Sequence, residues 1–161
     1  MTSSAAPTPA LRAVLDTHIW HQVYHYEHDD ALKGFGAEAA DKLGVDPKRI
    51  FKTLVVKTSD GQLVNVVLAV ADMLNPKRVA KVLQVKSVRM AEPVQVQTKT
   101  GYVLGGISPL GQKTMLPMLV DVSIRDHQTL IISGGQRGMS LELEVDDFLE
   151  LSQATVAHVR R

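Results

Sequence analysis

The sequence predicts an α/β protein of the α+β type, a single domain with a curved, mixed and barrel-like β-sheet core flanked by helices. Three observations carry this. Several successive β-rich runs have no helix of ten residues between them, which argues against a doubly wound parallel sheet. The chain has 161 residues, and a chain of about 150 buries roughly 70% of the surface it exposes when unfolded. No repeat, low-complexity tract or linker divides it.

The elements follow in order. "MTSSAAPTPA" reads as a flexible tail over residues 1–7, with the domain over 8–161. Thr8 as cap and Pro9 at the first helical position open a helix over 9–16, whose apolar stripe is Leu11, Val14 and Leu15. "HIWHQVYHYEHDD" is rich in aromatic and β-branched residues and predicts a strand over 19–27. A helix over 36–43 turns Ala37, Ala40 and Leu43 inward and stops at Gly44. "RIFKTLVVKTSDGQLVNVVLAV" is the clearest hairpin, with central strands 50–57 and 62–70 joined across Ser59-Asp60-Gly61. "NPKRVAKVL" predicts a helix with Val79, Val82 and Leu83 inward and Lys77, Arg78 and Lys81 outward. Those three cations, with Lys86 and Arg89, make either a solvated face or a phosphate-contacting patch. Further strands are expected at 86–90, 102–106, 118–122, 129–133, 139–143 and 155–159, and helices near 91–97 and 145–152.

Composition excludes several classes of function. With 18 Lys and Arg against 17 Asp and Glu, any contact with nucleic acid must come from local clustering of charge. The absence of cysteine rules out a disulfide framework, a thiolate metal site and a thiol nucleophile. No run has the length of a membrane span and the start lacks a signal-peptide pattern, so the expectation is a cytoplasmic protein with no membrane partner.

Two patterns invite cofactors and then fail them. His18, His21, His25 and His28 would suggest metal ligation on a helix, where His21 and His25 share a face. On the expected strand those two lie about 13 Å apart, too far for one ion. "GISPLGQKT" has the glycine spacing of a phosphate loop, but Gln112 stands where the lysine belongs. Pro109 also removes a donor, and Pro117 falls within the helix such a loop needs. What remains is a glycine-lined turn in which Gly105 and Gly106 admit a ligand close to the backbone. A second glycine turn, "SGGQRG" at 133–138, supplies a second wall or is a hairpin turn alone. No metal or cofactor is expected.

The strings "YEHD", "FKTLVV", "GYVLGGISPLGQK" and "SGGQRG", in this order and at these intervals, resemble the YbaK/EbsC family of free-standing editing domains. That family is related to the insertion domain of bacterial prolyl-tRNA synthetase, and the resemblance runs from about residue 8 to 160. It is nearer the Cys-tRNA(Pro) deacylase branch than the alanine-specific one. The resemblance implies the family's curved sheet and a trans-editing deacylase acting on the acceptor end of tRNA(Pro), with prolyl-tRNA synthetase as a further partner. It assigns catalysis to Lys52, which holds the terminal nucleotide, to Gly105, which with Pro109 forms the G-x-x-x-P loop near the scissile ester, to Gly106, and to Ser133, which opens the second glycine turn. It assigns substrate binding to Tyr26, Phe35, Thr53, Ile107, Ser108, Pro109, Gly134 and Ser140. One position departs from the pattern: Ser140 stands where the branch commonly has an aspartate, which removes a carboxylate from the place where a substrate amino group would be held.

The chain has no G-x-S-x-G nucleophile motif and no cysteine. The family's chemistry is consistent with that, since the cysteine substrate's own thiol attacks its ester. Such an intramolecular attack gains an effective molarity on the order of 10⁵ M or more when well aligned. Backbone N–H groups of the Gly105 to Ser108 turn are the expected oxyanion donors. Two other readings stay open: a deacylase for alanine or serine on a wrong tRNA, and a non-catalytic module that binds tRNA or a synthetase.

Overall fold

The computed structural model describes residues 7–29 and 34–161; most of the expected tail, residues 1–6, lies outside them. Helix α1 (Pro9–Thr17) begins where Thr8 accepts a hydrogen bond from the Leu11 N–H, with Pro9 in the first turn. Strand β1 (His21–His25) and helix α2 (Phe35–Leu43) follow, the helix ending on Gly44 at φ 66°. Strands β2 (Phe51–Thr58) and β3 (Leu63–Ala69) form the expected hairpin. Then come α3 (Pro76–Leu83), β4 (Val88–Met90), α4 (Pro93–Thr100), β5 (Met118–Asp121), a 3-10 turn (Val122–Asp126), β6 (Thr129–Ser133), β7 (Met139–Glu144), α5 (Val145–Ser152) and β8 (Thr155–Ala157).

The strands form two sheets, a five-stranded one of order β4-β2-β3-β5-β8 and a three-stranded one of order β1-β7-β6. The larger sheet is mixed: β2 pairs antiparallel with β3 and β4, while β3–β5 and β5–β8 are parallel. The hairpin strands are therefore central, as their near-continuous apolar runs require. One bridge, Ile50 to Ile131, links the two sheets, reinforced by the Ile131 N–H donating to the Arg49 carbonyl at 3.0 Å. The core is thus open between two sheets and not a closed barrel.

Alternation along β3 sends side chains into two layers. Val64, Val66 and Leu68 pack with Val79 and Ala80 of α3, whereas Val67 and Ala69 face Leu130, Ile132, Leu141 and Leu143 of the smaller sheet. Burying both faces keeps β3 wholly apolar apart from Asn65.

Several expectations are corrected. Residues 102–106 form no strand, because Gly101 and Gly105 take φ of 79° and 86° and break any extended run. The helix expected at 91–97 starts at Pro93 and runs to Thr100, where Gly101 caps it. On α3 it is Ala80, not Val82, that turns inward; Val82 is 38% exposed. The 3-10 turn after β5 has no apolar period to announce it; Asp121 caps it by accepting from the Ser123 N–H.

Candidate active site

A cavity of about 490 Å³ opens between the two sheets, within the size range of ligand pockets. The start of β2 supplies one wall through Phe51, Lys52, Thr53 and Leu54. The ends of β6 and β7 supply the opposite wall through Ile132, Ser133, Met139 and Ser140. Phe35 and the first turn of α2 close one side, and Leu104, Gly105 and Ile107 close another.

Of the residues singled out above, Lys52, Gly105, Ser133, Tyr26, Phe35, Thr53, Ile107 and Ser140 border this cavity. Gly106, Ser108, Pro109 and Gly134 do not border it. A Cβ at Gly106 would come within 2.8 Å of the Gln136 Cα, so this glycine lets the two glycine turns touch. The Gly106 N–H donates to the Val103 carbonyl at 2.9 Å and is not a free oxyanion donor. Ser108 is fully buried and its hydroxyl accepts from the Leu110 N–H at 3.3 Å. Gly134 pairs with the Met139 carbonyl and accepts from the Thr8 hydroxyl, tying the second turn to α1.

Lys52 is half-buried, and its ammonium donates to the Asp72 carbonyl at 2.7 Å. Burial pushes its pKa below the usual lysine value, against a smaller opposing pull from the Asp72 carboxylate. The lysine is thus held at the cavity by one neutral oxygen with donors to spare. Thr53 follows it, with a buried hydroxyl that has no hydrogen-bond partner. Across the cavity Ser133 and Ser140 face each other in register on β6 and β7. Among the described residues no carboxylate, imidazole or thiol lines the cavity.

Three residues that sequence reasoning passed over hold this arrangement. Gln112, the misfit of the phosphate-loop pattern, forms a buried reciprocal amide pair with Asn65, both bonds at 2.9 Å, and also donates to the Ser108 carbonyl. It pins the 105–111 loop to β3, and Gln112 was legible only as the residue that ruled out a phosphate loop. Glu38, nearly fully buried on α2, accepts from His28 at 2.7 Å and from the Asp29 N–H at 2.9 Å, with Lys42 at 3.3 Å. The His28 hydrogen bond leads the interactions that hold its pKa down to about 2 against the effect of burial. Arg137 lies 5.2 Å over the Phe35 ring and donates from Nε to the Leu104 carbonyl at 2.8 Å, clamping both turns onto α2.

His21 and His25 sit on β1 opposite Leu143 and Met139, and His18 ends α1, so the strand separates them. Among the described residues no group of three or more His, Asp or Glu side chains is placed to hold a metal ion. Among the same residues no helix is long and apolar enough to cross a membrane.

Residues 32–151, which include all of this cavity's lining except Tyr26, match the family model described as aminoacyl-tRNA editing domain. The chain belongs to the aminoacyl-tRNA editing domain family. A relative from Enterococcus faecalis, "Putative Cys-tRNA(Pro)/Cys-tRNA(Cys) deacylase EbsC", is 31% identical over 94% of this chain and 92% of its own. The proline-tRNA ligase of Acidithiobacillus ferrooxidans is 35% identical over 85 residues, which are 53% of this chain but only 15% of the ligase. The solved structure described as "Crystal structure of a putative trans-editing enzyme for prolyl tRNA synthetase" shares the fold with a TM-score of 0.83 at 22% identity, covering 98% of this chain and 99% of that one. As an editing domain the chain is a mixed α/β unit whose cavity lies where two glycine turns meet the start of a central strand.

Proposed function

We propose that this editing domain clears cysteine from mischarged tRNA(Pro) in trans, by positioning the substrate so that its own thiol opens the ester. The cavity's inventory supports this most directly. Among the described residues its polar lining residues are Tyr26, Lys52, Thr53, Ser133 and Ser140, with no carboxylate or imidazole among them to serve either serine as a general base. A site of that composition suits a substrate that brings its own nucleophile. The thiol sulfur bonds to the carbonyl carbon, the ester C–O bond breaks, and the thiol proton passes to the ribose oxygen that leaves with the tRNA. The products are a cyclic thiolactone and free tRNA.

In this reading Lys52 holds an anionic phosphate of the terminal nucleotide, since its ammonium has donors left after the Asp72 carbonyl is served. The Thr53 hydroxyl and the Ser133–Ser140 pair offer neutral hydrogen-bonding partners to the aminoacyl group. With serine at position 140, the substrate ammonium is met by hydroxyl oxygens and not by a carboxylate. The N–H groups of Gly105 and Ile107 at the cavity border take the oxyanion role that Gly106 cannot. Charging tRNA(Pro) with S-methylcysteine tests the mechanism. Blocking the sulfur should stop cleavage while leaving binding intact, and cleavage at the cysteine rate would point to an enzyme-activated water.

A further inference from the structure

We infer that α3, the β4 edge and the C-terminal segment form one docking face for the phosphate backbone of duplex RNA, placed to hold the acceptor arm of the tRNA whose 3′ end enters the cavity. The inference rests on the function proposed above and adds to it a surface that the cavity does not include.

The first observation is charge segregation. The chain is nearly neutral, yet between Asp72 and Glu92 it carries Lys77, Arg78, Lys81, Lys86 and Arg89 with no acidic residue. From Leu151 to the end it carries His158, Arg160 and Arg161, again without an acid. The fold then joins these stretches. Leu74 bridges to Arg160, the Asn75 N–H donates to the Val159 carbonyl at 2.8 Å, and the Arg161 N–H donates to the Met73 carbonyl at 2.8 Å. Arg78 lies 3.2 Å from the His158 ring nitrogen. Val79 and Ala80 anchor α3 on the sheet, which leaves Lys77, Arg78 and Lys81 exposed. Among the described residues Lys77, Lys81, Lys86 and Arg89 join no ion pair.

The second observation is continuity with the cavity. Val70 lines it, and Lys52 donates to the carbonyl of Asp72, so the turn that leads into α3 is also the cavity's rim. The acid at that junction, Asp72, is paired at 3.5 Å with Arg160, which also meets the buried Asp121 at 3.4 Å, so Arg160 is spent on these two acids and the free cations of the face are those of α3 and the β4 edge. An RNA strand leaving the cavity beside Lys52 passes the Asp72–Arg160 pair and then reaches the cations of α3. Met73, Val82 and Met90 are exposed among these cations, but four of the cations join no ion pair among the described residues, and that density of unpaired positive charge suits a phosphate backbone.

The test uses the whole chain and an uncharged acceptor-stem hairpin with its single-stranded 3′ end, followed by fluorescence anisotropy across a salt series. Lys77→Glu with Lys81→Glu should weaken binding at least tenfold at low salt. If each lysine neutralises one phosphate, the log–log salt slope should also become shallower by about 1.8. Lys99→Glu with Lys113→Glu changes net charge equally at the far end of α4 and should bind like the parent. Unchanged binding by the first pair, or equal loss by both pairs, overturns the inference. A parent protein that binds through this face but cleaves no aminoacyl-tRNA would instead sink the proposed function alone. Melting curves matched to the parent keep misfolding out of the comparison.

Discussion

Replacing Lys52 by methionine keeps an unbranched side chain one atom shorter and removes the terminal ammonium with its charge and donors. In the free protein two terms oppose each other. The charge-assisted hydrogen bond to the Asp72 carbonyl at 2.7 Å is worth about 1.5–3 kcal/mol. Against it stands the desolvation that depresses the lysine pKa. Stability of Lys52→Met should therefore stay within about 1 kcal/mol of the parent, a shift of roughly 2–4 °C for a chain of this size. If Lys52 grips a phosphate, losing that half-buried pair should cost about 2–4 kcal/mol of binding, roughly 30- to 1,000-fold in kcat/KM. Lys52→Arg should recover only part, because a planar fork does not replace a compact ammonium. The pH dependence has a defined sign. Since the folded pKa lies below 10.5, the unfolded chain binds more protons in that window. The parent should then gain stability relative to Lys52→Met as pH rises through the folded value toward 10.5. Thermal melts and deacylation of labelled aminoacyl-tRNA read both effects. A variant that folds and stays fully active refutes the placement of the site, and one that melts far below the parent makes the lysine structural.

Thr53→Val removes a buried hydroxyl that has no partner, so stability should hold or rise slightly while deacylation falls; a large loss of stability in melts would contradict this. Gly105→Ala puts a Cβ 2.6 Å from the Phe35 ring at φ 86° and should cost more stability than Gly61→Ala. The latter has φ 92° but open space, so urea unfolding of the pair separates clash from backbone strain. Glu38→Gln should destabilise at neutral pH, since the carboxylate pKa falls from 4.5 to about 2 on folding. That contribution is complete above 4.5 and fades as pH drops toward 2, so denaturation curves of parent and variant should converge in acid.

Much of the fold was legible because local chemistry and tertiary need agree. Thr8-Pro9 and Asn75-Pro76 start helices whatever surrounds them, and the hairpin across Asp60-Gly61 has apolar runs that only a central position satisfies. The division into two sheets was not legible, since it depends on which strands pair, and β6 meets β2 through a single bridge far apart in sequence. The 102–106 stretch has the β-branched and aromatic content of a strand, but glycines at positive φ override it. At the cavity, Lys52 announced itself as a cation inside an apolar strand. Gln112 and Glu38 did not, because each acts through partners distant in the chain, Asn65 and His28. Gly106 carried the right signal for a close approach, although its neighbour is the Gln136 backbone and not a ligand.

In the proposed mechanism the substrate supplies its own nucleophile. The most direct measurement is the rate at which the purified chain releases cysteine, serine and alanine from tRNA(Pro), compared under identical conditions near neutral pH. Rapid loss of cysteine, with serine far slower and alanine at the background rate, is the predicted result. Equal release of cysteine and serine, or alanine cleared while cysteine persists, would contradict it.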